Sequence, residues 1–66
     1  MQINFNGKQI KINENTSLAK LVADFELDID AIAIEHNLQI IAPEQYAEIK
    51  LKDGDNLEVV EFVGGG

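Results

Sequence analysis

Met1, Ile3 and Phe5 alternate with Gln2 and Asn4, and Ile10 and Ile12 alternate with Gln9 and Lys11. A period of two marks a strand with one buried face. Asn6-Gly7 separates the two runs, and both residue types tolerate the positive φ that a type I′ turn demands. The pattern predicts a β-hairpin over residues 1–13. After Asn15 the period lengthens. Leu18, Leu21, Val22 and Phe25 fall at i, i+3, i+4 and i+7, on one face of a helix. Thr16 or Ser17 offers a hydroxyl to cap its start, and the helix is expected near 17–26.

An acidic connection over 26–31 leads to a strand at Ile32–His36, with Asn37 in a turn. Ile40 and Ile41 begin a short extended piece that Pro43 stops. Pro43 to Tyr46 reads as one helical turn with proline first. Ile49 and Leu51 alternate with Glu48, Lys50 and Lys52, which predicts a further strand. Asp53-Gly54-Asp55 is a tight turn, and Leu57 to Val63 is the last strand. The expected class is α+β: one helix on one face of a mixed sheet of four to five strands. Residues 1–63 form the domain and 64–66 a flexible glycine tail. In the last strand, parity puts Leu57 and Val59 on one face and Val60 and Phe62 on the other. A single helix covers one face, so Val60 and Phe62 are expected on the open side as a docking surface.

Composition narrows the chemistry. Twelve acids against five lysines, with no arginine, give a net charge of −7 over 66 residues. Such a surface repels phosphate backbones and anionic membranes and suits a basic protein partner. There is no cysteine and one histidine, His36, so disulfides, iron–sulfur clusters and the usual zinc sites are excluded. The opening Met-Gln-Ile-Asn-Phe lacks the basic and apolar regions of a signal peptide, and a cytoplasmic location is expected.

Catalysis by the domain itself is not expected. Asp24, Glu26, Asp28 and Asp30 alternate through a solvated loop without calcium-loop spacing. Glu35 and His36 are strand neighbours that point to opposite faces, so they form no dyad. The remaining reactive group is the carboxylate of Gly66, at the end of Gly64-Gly65-Gly66. At neutral pH it is an ionised, poor electrophile, with a reference pKa of about 3.3–3.7. Esterification to AMP would activate it toward a thiol, persulfide or amine. With no cysteine, a terminal thiocarboxylate is the one covalent form in which this chain can hold reactive sulfur.

The whole length resembles the ThiS family of thiamine-biosynthesis sulfur carriers. The resemblance lies in Ile3-Asn4-Phe5-Asn6-Gly7, Thr16 with Leu18 and Leu21, and Ile34-Glu35-His36-Asn37 with Ile41 and Pro43. It is most specific in the run from Asp53-Gly54-Asp55 through Leu57–Val63 to Gly64-Gly65-Gly66. It implies a ubiquitin-like β-grasp fold. It also implies a cycle in which a ThiF-type adenylating enzyme, using ATP and magnesium, activates Gly66, while the chain itself binds no cofactor. Sulfur, from a cysteine desulfurase or another sulfur donor, then makes the thiocarboxylate, and thiazole synthase (ThiG-type) takes the sulfur. On this mapping Gly64 and Gly65 thread the partner's active site, and Phe62 and Val63 lead the tail in, with Val60 beside them from the parity argument. Three alternatives stay open: a MoaD-like carrier for molybdopterin synthesis, a ubiquitin-like modifier of lysines, and an interaction module with an inert tail.

Overall fold

The structure, a computed structural model, describes residues 1–62. Strand β1 (Gln2–Phe5) turns at Asn6-Gly7 into β2 (Lys8–Lys11). Both turn residues have positive φ, 48° and 83°, as the dipeptide predicts. Helix α1 (Leu18–Asp24) follows, then β3 (Ile32–His36), β4 (Gln39–Ile41), a 3₁₀ helix (Pro43–Glu48) and β5 (Asn56–Glu61). The sheet order is β2-β1-β5-β3-β4. The β1–β5 pair is parallel and every other pairing is antiparallel. No helix among the described residues is long and apolar enough to cross a membrane.

Helix α1 is shorter than its pattern predicts because both ends are locked. Ser17 is the N-cap, its Oγ accepting from the Lys20 N–H at 3.0 Å. Thr16 instead donates its hydroxyl to the Asn13 carbonyl. At the other end the Glu26 N–H donates to Ala23 O, and the Leu27 N–H to Val22 O. That pair of bonds is a Schellman closure. Glu26 stands at its left-handed position with φ 54°, where glycine is usual.

Leu18, Leu21 and Val22 from the helix meet Ile3, Ile32, Ile34, Ile41 and Leu57 from the sheet. Tyr46 and Leu51 close the side of this core. The strand expected around Ile49 and Leu51 does not form. Leu18 N–H donates to Ile49 O and Leu51 N–H to Thr16 O, which leaves one isolated bridge between Ser17 and Lys50. The partner segment turns into α1 at once, so the ladder has nowhere to extend. Alternation here reported a buried side and an exposed side, and Leu51 is indeed buried.

Tyr46 is 2% exposed, and its hydroxyl has no hydrogen-bond partner among the described residues. Burial first, then the charge of Glu44, raises its pKa above the ordinary tyrosine value. An unpartnered buried hydroxyl opposes folding. Tyr46→Phe is therefore expected to raise stability by about 1 kcal/mol in a denaturant titration. A fall instead would show that bound water completes the hydroxyl.

Candidate functional site

Strand β5 runs between β1 and β3 and carries the chain out of the sheet. Its N-terminal half is held firmly. Asn4 N–H donates to Asp55 O and Asn6 N–H to Leu57 O, the parallel ladder with β1. The Asn6 side chain prolongs that ladder beyond the turn, with Oδ1 accepting from Val59 N–H at 2.7 Å and Nδ2 donating to Val59 O at 3.2 Å. One residue thus makes the turn and ties β5 to the hairpin.

On the other side, β5 pairs with β3 from Leu57↔His36 to Glu61↔Ile32. Among the described residues, the last hydrogen bond along this edge runs from Phe62 N–H to Ala31 O, at 2.7 Å. Leu57 is buried and Val59 packs against the core. Val60 and Phe62 are 55% and 61% exposed, on the face away from α1. They stand there, as parity predicts, because neighbouring side chains of a strand alternate and the helix covers one face. The strand expected to reach Val63 ends at Glu61. Val63, Gly64, Gly65 and Gly66 lie outside the described residues.

At the start of β5 the structure assembles a polar cluster that sequence spacing alone did not reveal. Asp55 is 8% exposed. Its carboxylate accepts from His36 Nε2 (2.8 Å), Asn37 Nδ2 (3.1 Å) and Lys52 N–H (2.9 Å). An ionised carboxylate only accepts, so Nε2 is the protonated ring nitrogen of His36. Asn37 also accepts from Asn56 N–H through Oδ1, at 2.9 Å. Burial acts to raise the Asp55 pKa. The hydrogen bonds from His36, the Lys52 N–H and Asn37, with the charge of His36, outweigh it and hold the carboxyl below its usual value. His36 is thus a satisfied histidine whose partner is Asp55, consistent with the expectation that it is no dyad with Glu35. The cluster ties the β3–β4 turn to β5.

The class that fold and site define is a ubiquitin-like β-grasp domain whose central strand ends in exposed apolar residues at the root of a glycine tail. The chain belongs to the ThiS family, whose model matches residues 3–66. It is 38% identical to the sulfur carrier protein ThiS of Bacillus subtilis over 65 residues, covering 97% of this chain and 98% of that one. It is 33% identical to a thiazole synthase of Paramagnetospirillum magneticum across its full 66 residues. It spans 20% of the length of that protein. The crystal structure of the thiamine biosynthesis protein ThiS from Geobacter metallireducens superposes with a TM-score of 0.86 at 26% identity, covering both chains completely.

Proposed function

We propose that this chain carries sulfur for thiazole formation in thiamine biosynthesis, with the Gly66 carboxylate as the attachment point. The observation that carries the reading is the family match through the glycine triplet, combined with a β5 that leaves Val60 and Phe62 exposed where the tail begins. In this cycle a carboxylate oxygen attacks the α-phosphorus of ATP on the adenylating enzyme, and pyrophosphate leaves. A persulfide sulfur then displaces AMP to give an acyl disulfide, and attack of a thiol on its S–S bond releases the terminal thiocarboxylate and leaves a disulfide on the donor side. The domain supplies no acid, base or nucleophile to these steps. It presents the acyl group and the surface by which partners hold it.

Glycine suits that task because it adds no side-chain bulk and accepts any backbone path into a partner's channel. Three residues reach about 10 Å at roughly 3.3–3.6 Å each. Thiazole synthase as acceptor is supported by a relative of that name, 20% of which aligns with the whole of this chain. An activating enzyme is required because a carboxylate must be activated before sulfur can enter, and the sulfur itself comes from a cysteine desulfurase or another donor.

Intact-mass analysis after incubation with the adenylating enzyme, ATP, magnesium and a sulfur donor tests the reading. The expected product has one oxygen replaced by sulfur, localised to the C-terminal peptide. A mass unchanged under conditions that charge a known carrier would overturn it. Docking has its own test. Phe62→Ala is expected to weaken binding to thiazole synthase about ten-fold or more, as removal of a large apolar anchor does. The thermal midpoint should move little, because Phe62 is 61% exposed.

A further inference from the structure

Two features of the open face burden the isolated domain without any return inside it. Leu38 takes the second position of the β3–β4 turn with φ 73°, after Asn37 at 49°. In that left-handed conformation a leucine brings its Cβ close to the following carbonyl oxygen, whereas glycine sits there freely. The strain is not offset by packing, since Leu38 is 90% exposed. The second feature is electrostatic. Glu35 and Glu58 stand directly opposite each other in the β3–β5 register. Like charges in that position repel. Neither carboxylate belongs to an ion pair among the described residues.

Both features line the same hollow. Leu38, Glu35 and Glu58 border a concavity of about 350 Å³, with Asn4 and Asn56 on its wall. Asn4 Nδ2 donates to Asn56 Oδ1 at 2.7 Å, so the wall beside the two carboxylates is polar but carries no charge to balance them. Ile40, 72% exposed, is the cross-strand neighbour of Glu35, and Val60 pairs with Ala33 one step along the face. A hollow with two facing carboxylates and an apolar rim is complementary to a cation carried on an apolar surface. No group of three metal-ligating side chains occurs among the described residues. A protein side chain fits better than a bare ion.

We propose that a partner protein inserts one basic side chain, an arginine, between Glu35 and Glu58 while its apolar surround covers Leu38 and Ile40. The planar guanidinium carries five donors and can bridge two carboxylates at once. The partner would thereby relieve the repulsion, and the strained leucine would gain a contact. The inference rests on the docking surface of the proposed function and extends it from the end of β5 to the β3–β4 edge.

The test uses the full chain, with thiazole synthase as the binding probe. Glu35→Gln and Glu58→Gln are each expected to raise the thermal midpoint of the free domain by roughly 2–5 °C. Each should also weaken binding about ten-fold at low salt. The double variant should bind little worse than either single one, because both carboxylates hold the same cation. Leu38→Gly should likewise raise the midpoint and weaken binding. Glu14→Gln, the same charge change in an exposed turn away from this face, should alter neither.

Unchanged binding in Glu35→Gln and Glu58→Gln alongside weak binding in Phe62→Ala would overturn the arginine site and leave the docking surface standing. Unchanged binding in all three would remove the docking surface as well. A lower midpoint in Leu38→Gly would show that Leu38 already packs within the domain, which also overturns the proposal. So would magnesium or calcium ions that raise the midpoint of the unaltered chain but not of Glu58→Gln, since that assigns the pair to a metal.

Discussion

A chain that stops at Gly64 is expected to lose thiocarboxylate formation altogether while folding normally. Removing two residues draws the acyl carbon back by about 7 Å, at roughly 3.3–3.6 Å per residue. A displacement of about 1 Å already lowers the rate of a positioned reaction roughly 100-fold. The adenylating enzyme would then close on a channel whose end is empty of carboxylate. Folding is a separate matter. The residues that fill the core run from Ile3 to Leu57, so the thermal midpoint should stay within about 1 °C of the unaltered chain. Both quantities come from one preparation, by intact mass and by thermal unfolding. Charging of the shortened chain at the normal rate would end the carrier reading. A falling midpoint would mean that the tail serves the fold.

How far such conclusions were legible beforehand depends on whether the physics is local. Asn6-Gly7 and the flanking alternation specify the first hairpin within a dozen residues, because turn geometry and face assignment agree there. Exposure of Val60 and Phe62 follows from parity, because one α-helix among the described residues covers one face of the sheet. The end of α1 was harder to see. Its closure runs through Glu26, and a left-handed glutamate leaves no glycine to mark it. The supposed strand around Ile49 and Leu51 failed for another reason. Alternation reports which side is buried, not whether a neighbouring strand continues alongside. The contacts His36–Asp55 and Glu35–Glu58 are set by the crossing of β3 with β5, residues about twenty positions apart. No sequence period encodes that register, so the most informative part of the site waited for the structure.

Replacing Asp55 by alanine is expected to produce the largest loss of stability of any change discussed. Its carboxylate serves three donors at once: His36 Nε2, Asn37 Nδ2 and the Lys52 N–H. Asp55 itself is 8% exposed, while Asn37 and Lys52 beside it reach solvent. Removing the acceptor leaves those donors facing an apolar methyl. Unsatisfied buried groups cost about 1–3 kcal/mol each, and partial rehydration limits the sum to about 2–4 kcal/mol. In a domain this small that is a large share of the total, and the midpoint should fall by roughly 10–25 °C. The dependence on pH distinguishes this cause from simple loss of volume. The folded-state pKa of Asp55 lies below its unfolded value of about 3.8. The unfolded state therefore binds the proton first as acid is added. The carboxylate's contribution is complete above that unfolded value and disappears as pH falls through the lower, folded one. The stability gap between the unaltered chain and Asp55→Asn should accordingly shrink as pH falls below about 4. A gap that stays constant down to pH 2 would show that Asp55 acts through its shape and not its charge. The His36 hydrogen bond would then have no electrostatic part in holding the start of β5.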